Sequence, residues 1–187
     1  MTIEPGNTAP DTRLPTDGGG DLALKDLRGK AVILYFYPKD DTSGCTAEAQ
    51  AFEFLRKRFE KAGAAIVGIS RDPVKSHDKF KAKYGLGFPL MADVDGKLCQ
   101  AYGTWVEKSM YGRKYMGIER ATFLIDARGK IRNVWRKVKV PGHAEEVLAA
   151  TENLVGNGPA KPAPKTTKPK TKPKASGASK AKAKSKR

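Results

Sequence analysis

Cys45 is the residue of this sequence that is best placed to act as a nucleophile. It follows the continuously apolar stretch 31–37, which predicts a buried strand, and it lies in the first turn of a helix predicted over 44–62. Unpaired peptide N–H groups and the helix dipole at such a terminus favour a thiolate over a thiol. Position alone leaves a second interpretation open, in which Cys45 is a small apolar core residue, because free cysteines are commonly buried.

Two residues upstream of Cys45 complete a specific pattern. Pro38 and Thr42 stand at the spacing P-x-x-x-T-x-x-C, which resembles the active-site signature of the peroxiredoxins. The resemblance is closest to the peroxiredoxin Q branch, also called bacterioferritin comigratory protein, and covers about residues 3–155. It implies a thiol peroxidase that reduces hydrogen peroxide and organic hydroperoxides through a sulfenic acid on Cys45. The stretches that carry it are 33–39, 44–46, 68–70, 101–103 and 118–126.

Arg120 matches the arginine that completes the site in this family. In peroxide reduction the thiolate attacks one oxygen while the other leaves with growing negative charge, so fixed donors are needed at both ends. The guanidinium of Arg120 offers such donors to thiolate and peroxide together. We expect Thr42 to exchange hydrogen bonds with the peroxide and Pro38 to screen the thiolate from water. The alternative for Arg120 is a surface arginine on a strand.

A sulfenic acid on Cys45 must be reduced before the next turnover. Members of this branch do so with a second cysteine in the same helix or the next one, at positions that hold Gln50 and Lys81 here. Cys99 lies in a core-like stretch beside Leu98, which favours a buried structural thiol, although a resolving cysteine is the alternative. We therefore expect a one-cysteine cycle, in which thioredoxin, glutaredoxin or a small thiol attacks the sulfenic acid directly.

Other chemistries find little support in the sequence. His77 and His143 are far apart and flank no cysteine at ligand spacing, so neither a metal nor another cofactor is expected. The absence of a C-x-x-C motif argues against a disulfide oxidoreductase. We expect a monomer rather than a dimer.

The elements that must position these residues alternate along the chain. Turn-forming residues over 1–30 predict loops and a short hairpin, and the helix over 73–84 is predicted to start with Asp72 as its N-cap. The alternation is typical of an α/β, thioredoxin-like fold with a central mixed sheet flanked by helices. The remaining predictions are a strand over 64–70, an irregular loop over 103–117, a hairpin over 120–136 and a last helix over 142–155.

The composition favours a cytoplasmic protein without a membrane segment. The longest strongly apolar run, 31–37, has 7 residues, against the roughly 20 that span a bilayer. The first residues carry an acid and a proline rather than the pattern of a signal peptide. Two cysteines among 187 residues fit a reducing compartment.

The chain divides into a folded domain over 1–155 and a basic tail over 156–187. The tail has 11 Lys and Arg, no Asp or Glu and no large apolar residue, so it is predicted to be disordered. Of the formal net charge of +16 it carries +11, which leaves 16 − 11 = +5 for the domain. Such a tail binds nucleic-acid phosphates without reading sequence, which makes a DNA-associated protein the alternative function and a solubilising tail the simpler interpretation. The candidate DNA contacts are Lys165, Lys168, Lys170, Lys172, Lys174, Lys182, Lys184 and Lys186.

Overall fold

The computed structural model describes residues 3–156. In chain order, the strands are β1 (Leu14–Pro15), β2 (Asp21–Leu22), β3 (Ala31–Phe36), β4 (Ala64–Ser70), β5 (Leu90–Ala92), β6 (Trp105–Met110), β7 (Arg113–Ile118), β8 (Ala121–Ile125) and β9 (Ile131–Trp135). The α-helices are α1 (Ser43–Lys61), α2 (Val74–Tyr84), α3 (Lys97–Ala101) and α4 (His143–Gly156). Five strands form the central sheet in the order β5-β4-β3-β8-β9. This is the mixed α/β arrangement that the sequence predicts.

β3 lies at the centre of the sheet, parallel to β4 and antiparallel to β8. All its residues are buried, which explains why the strand is apolar without alternation. Alternate side chains nevertheless enter two separate cores. Ile33 and Tyr35 pack on the face covered by α1 and α4, while Leu34 and Phe36 pack on the face covered by α3. The sheet therefore divides the interior into two halves.

α1 begins within one residue of its predicted start and packs on the sheet through one apolar stripe. Phe52, Leu55 and Phe59 recur at three- and four-residue spacing and are buried against the sheet and α4. The chain leaves the helix through Gly63, whose φ of 74° lies in the left-handed region that glycine tolerates. The helix thus holds Cys45 in its first turn and anchors that end through its apolar stripe.

The predicted irregular loop over 103–117 is wrong, because β6 and β7 form a β-hairpin there. The hairpin turns through Tyr111 and Gly112, whose φ angles of 51° and 75° are both positive. Two positive φ values match a type I′ turn, which usually contains Asn-Gly or Asp-Gly. The sequence lacks the usual signals of a hairpin, because a tyrosine occupies the first turn position and the side chains of β7 are largely exposed.

Asp72 is not the N-cap of α2, which corrects a second prediction. The helix starts at Val74, its N-cap is Pro73, and no side chain caps it. The Asp72 carboxylate instead accepts hydrogen bonds from the Asp40 backbone N–H at 2.9 Å and from the Ser70 hydroxyl at 2.7 Å. Asp72 therefore supports the loop that follows β3 rather than its own helix.

The two ends of the chain bear on further predictions. The short N-terminal hairpin is confirmed, since β1 and β2 pair in antiparallel register. The predicted tail lies outside the described residues, apart from Gly156 at the end of α4. Among residues 3–156, no helix combines the length and apolar character that crossing a bilayer would require.

Gly68 in β4 allows close packing within the half of the core that contains Cys45. A Cβ placed there would lie 2.7 Å from Leu90 Cδ2 and 2.8 Å from the Tyr35 hydroxyl oxygen. Both side chains are fully buried, so Gly68→Ala should lower the free energy of unfolding by about 1–3 kcal/mol, the usual cost of overpacking. Urea unfolding followed by circular dichroism would measure it.

A matched control is Gly156→Ala, where a Cβ meets no atom of the described residues within 4 Å. That variant should unfold at the wild-type urea concentration or slightly above it. If Gly68→Ala unfolds at the same urea concentration as the control, the close packing at β4 does not contribute to stability.

Candidate active site

Cys45 lies where β3 meets α1, at the carboxyl end of the central strand. It is the third residue of α1, and its side chain is buried with 2% of its surface exposed. Thr42, the N-cap of the helix, is exposed, as is Pro38 at the beginning of the loop. The Thr42 hydroxyl donates to the Lys39 carbonyl at 3.0 Å and does not hydrogen-bond to the helix backbone. Its oxygen lone pairs are therefore left to accept a hydrogen bond from a molecule that enters the site.

Arg120 reaches Cys45 from the start of strand β8. The residue immediately precedes β8, whose Ala121 pairs with Phe36 at the end of β3, so the strand register brings Arg120 level with the loop. Its Nη2 donates to Cys45 Sγ at 3.3 Å. Only 15% of the side chain is exposed, which is not how a surface arginine is placed. The structure thus joins two of the predicted site residues, which are 75 positions apart.

Glu48 is a site residue that the sequence analysis missed. Arg120 Nη1 donates to Glu48 Oε2, so one guanidinium bridges the carboxylate and the sulfur of Cys45. Burial raises the pKa of Glu48 to about 7, and the positive charge of Arg120 limits the rise. The spacing C-x-x-E on a predicted helix was the available signal, because residues three apart lie on one helix face.

Contacts with α2 hold the loop between β3 and α1. Asp40 is buried and receives a hydrogen bond from the Tyr37 hydroxyl at 2.7 Å, and its other oxygen lies 2.9 Å from His77 Nδ1. Burial alone would raise the pKa of Asp40, but hydrogen bonding to His77 lowers it below the ordinary value. Asp41, with a positive φ of 57°, binds Lys83 Nζ at 2.8 Å. The loop that carries Thr42 is therefore fixed at the two residues that precede Thr42.

Cys99 lies in the other half of the core. It belongs to α3, is fully buried, and packs on the sheet face opposite to the one that carries Cys45. Burial and the neighbouring Asp93 raise the pKa of the Cys99 thiol well above its ordinary value. The backbone N–H of Cys99 donates to Asp93 Oδ2 at 2.7 Å, which ties down the start of α3. Cys99 is thus buried, as the sequence predicts.

The two histidines take part in separate structural contacts. His77 faces Asp40, whereas His143 Nε2 lies 2.8 Å from the Thr122 hydroxyl. In the described part of the chain, no three His, Cys, Asp or Glu side chains are grouped as metal ligands.

Comparison with known proteins identifies the family. Residues 5–134 match the model of the AhpC/TSA family. The chain belongs to this family. It is 55% identical over 148 residues to a putative peroxiredoxin bcp of Coxiella burnetii. The aligned region covers 79% of this chain and 98% of that protein. This chain is 46% identical over 154 residues to peroxiredoxin Bcp of Bacillus subtilis, covering 82% and 98% of the two chains.

The fold is shared with solved structures of the same type. The bacterioferritin comigratory protein of Xanthomonas campestris superposes with a TM-score of 0.76 at 47% identity, covering 82% of this chain and 98% of that one. A peroxiredoxin Q structure from the same organism gives a TM-score of 0.76 at 48% identity, covering 82% and 97%. These results confirm the thioredoxin-like fold and the Bcp/peroxiredoxin Q type. The protein is therefore an enzyme, a thiol-dependent hydroperoxide reductase.

The raised pKa of Glu48 predicts a pH dependence of stability. Between the ordinary value of 4.5 and the folded value of about 7, the folded protein holds a proton that the unfolded chain has released. The free energy of unfolding must then fall as pH rises through this window, by roughly 3 kcal/mol from this group. Glu48→Gln should remove that contribution, so its stability relative to wild type should increase from pH 4.5 to 7.

Urea unfolding at intervals across the same window would measure the difference. Glu145→Gln, which removes an exposed carboxylate of α4, is the matched control and should follow the wild-type curve. Parallel curves for wild type and Glu48→Gln would contradict the assignment of a proton to Glu48.

Proposed function

We propose that Cys45 is the residue that reduces the hydroperoxide. The observation that carries this proposal is the 3.3 Å hydrogen bond from Arg120 Nη2 to Cys45 Sγ inside a nearly closed site. A guanidinium at this distance stabilises a thiolate, and a low-dielectric environment strengthens the interaction. The thiolate attacks one peroxide oxygen, the O–O bond breaks, and the other oxygen leaves as an alcohol or water after taking up a proton. The sulfur is oxidised to a sulfenic acid.

Thr42 and Pro38 complete the proposed site from the loop. The Thr42 hydroxyl accepts the hydrogen bond of the peroxide O–H and holds its oxygen in line with the sulfur. Pro38 has no backbone N–H to attract water, and it shields the mouth of the site. The hydroperoxides proposed as substrates are hydrogen peroxide and organic hydroperoxides, and alkyl peroxide reduction is the activity named for the Xanthomonas campestris relative.

Replacing either partner of the central hydrogen bond should stop or slow the reaction with peroxide. Cys45→Ser keeps the shape of the side chain but provides a hydroxyl that hardly ionises, so turnover should be lost. Arg120→Lys keeps the positive charge but loses the planar pair of donors, so the rate should fall about 10²-fold or more. Rapid mixing of the reduced protein with hydrogen peroxide measures the rate of Cys45 oxidation.

Arg58→Lys is the matched control, because Arg58 forms an exposed ion pair with Glu152 on the outer surface. It should react at the wild-type rate. Wild-type kinetics in Arg120→Lys would mean that charge alone matters at this position, and turnover in Cys45→Ser would remove the proposed nucleophile.

We further propose a one-cysteine cycle. Gln50 and Lys81 occupy the positions of the usual resolving cysteines, and Lys81 forms an ion pair with Asp17. Cys99 lies across the sheet from Cys45, so a disulfide between them would require one side chain to cross the central strands. An external thiol, supplied by thioredoxin, glutaredoxin or a small molecule, then attacks the sulfenic acid directly.

Cys99→Ser should therefore retain most of its turnover. Peroxide consumption in the presence of excess thiol reductant measures it, and circular dichroism checks that the buried hydroxyl has not unfolded the domain. Cys99→Ala is the companion variant, since it removes the sulfur without adding a polar group. Loss of turnover in both folded variants would make Cys99 the resolving residue.

The basic tail supports a second proposal, association with DNA. Its 11 cations and lack of acids favour counterion release on a phosphate backbone. The alignment with the Coxiella burnetii relative covers 98% of that protein but only 79% of this chain, so the tail is an addition to the shared domain. A peroxidase held near DNA would remove peroxide close to a vulnerable polymer.

If about half of the tail cations contact phosphates, the slope of log affinity against log salt should be near −5, from roughly −0.9 per phosphate. A DNA retardation series at increasing salt measures it. A chain ending at residue 156 should lose this binding and keep its peroxidase activity. Equal binding by the shortened chain would assign the DNA contact to the domain, and no retardation at low salt would leave the tail as a solubilising segment.

A further inference from the structure

A pocket of about 500 Å³ opens beside the site, between the loop after β3 and the β6–β7 hairpin. Its volume lies within the range of ordinary small-molecule sites. Three cations line it, Lys39, Arg71 and Lys108, together with the rings of Trp105 and Tyr115. No acidic side chain of the described residues is part of the lining. We call it the cationic pocket.

The three cations of the pocket lack an ion pair within the described residues. No carboxylate in the described region forms an ion pair with Lys39, Arg71 or Lys108, although many other lysines and arginines are paired. Arg71 is held in place, because its Nη2 donates to the Val94 carbonyl at 2.9 Å and its guanidinium lies 4.4 Å from the centre of the Trp105 ring. Like charges around one pocket create a potential that attracts an anion.

The pocket opens next to the segments that lead to Cys45 and Arg120. Pro38 lines it on the side of the active-site loop, and Ile118 lines it two residues before Arg120. Lys108 is half-buried, and burial together with the nearby charge of Arg120 lowers its pKa, while Glu119 and Cys45 act in the opposite direction. A ligand in the pocket therefore lies next to the two segments that lead to Cys45 and to Arg120.

We infer that the cationic pocket binds the carboxylates of a small anionic thiol whose sulfur reduces the oxidised Cys45. This inference rests on the proposed one-cysteine function. The thiol attacks the sulfenic sulfur, an S–S bond forms, the S–OH bond breaks, and the hydroxyl leaves as water with the proton of the thiol. A second thiol molecule attacks the bound one, releases a symmetrical disulfide and returns Cys45 to a thiolate.

The pocket suits this reactant better than it suits the peroxide. Hydrogen peroxide carries no charge and needs far less space. A reductant that supplies the missing second sulfur must bind close to Cys45, whose sulfur is almost closed to solvent. A peptide-sized thiol with free carboxylates matches the volume, the cations and the aromatic walls together. A hydroperoxide that bears a carboxylate shares part of this chemistry, and the experiment separates the two.

The test follows reduction of the sulfenic acid in a single turnover. The full-length protein receives one equivalent of hydrogen peroxide and is then mixed rapidly with glutathione or with glutathione diethyl ester, which has the same thiol but no carboxylates. Quenching and intact mass give the rate of mixed-disulfide formation. Glutathione should react about five- to tenfold faster than its ester, the effect of two partly exposed ion pairs. Added salt should remove the difference.

Substitutions in the pocket provide the matched comparison. Lys39→Gln combined with Arg71→Gln should slow mixed-disulfide formation with glutathione to the rate seen with the ester. The rate of Cys45 oxidation by peroxide should not change. Lys39→Arg combined with Arg71→Lys should restore the faster reaction with glutathione. Lys57→Gln combined with Lys75→Gln removes two exposed cations elsewhere and should leave both rates unchanged. Quenching of tryptophan fluorescence by S-methylglutathione, which cannot react, reports binding beside Trp105 independently of turnover.

The outcomes separate the inference from the function on which it rests. If no sulfenic acid forms on Cys45, the proposed function itself fails. If it forms but glutathione and the ester react equally, with no effect of the pocket substitutions, the pocket assignment is overturned while the function stands. If the substitutions slow only the reaction of a carboxylate-bearing hydroperoxide, the pocket serves the oxidising substrate and the thiol assignment is wrong.

Discussion

The guanidinium of Arg120, shared between the sulfur of Cys45 and the carboxylate of Glu48, is the interaction on which the site depends. Three ionisable groups meet there in a nearly dry environment, where an unpaired charge would be costly. The pKa of Glu48, near 7, shows how the cost is limited, since the carboxylate is partly protonated at neutral pH. In the mechanism we propose, Arg120 is then freer to stabilise a thiolate than it would be beside a permanent carboxylate.

The fold serves this contact through the register of its strands. Pairing of Phe36 with Ala121 fixes Arg120 beside the end of β3, and the apolar stripe of α1 fixes Cys45 on the same side. The bonds of Asp40 and Asp41 to α2 prevent the intervening loop from turning away. Sheet, helix and loop thus each fix one part of a geometry that no single element could hold.

Local signals in the sequence predicted much of this arrangement. The buried strand before Cys45, the helix after it and the second strand over 64–70 are recovered nearly residue for residue, because continuous apolar runs and helical spacing are local properties. Arg120 was found only through the family resemblance, since no local pattern joins residues so far apart. The family match confirms that resemblance.

What the sequence did not reveal depends on contacts between distant segments. Asp72 has the composition of a helix cap, yet its carboxylate is engaged by Asp40 and Ser70. His77 gave no sign of facing Asp40, which lies 37 positions earlier. The β6–β7 hairpin turns through a tyrosine in a conformation that usually calls for asparagine or aspartate. In each case a contact between distant segments, or a backbone conformation, differs from what the neighbouring residues in the sequence indicate.

We propose that Cys45 takes up the peroxide oxygen and forms no disulfide with Cys99. Intact mass and peptide mapping of the full chain after one equivalent of hydrogen peroxide, with and without a sulfenic-acid trap, test it most directly. We expect a gain of a single oxygen, with the trap attached to the peptide that contains Cys45. A loss of two hydrogens with a Cys45–Cys99 link, or trapping at Cys99 instead, would contradict it.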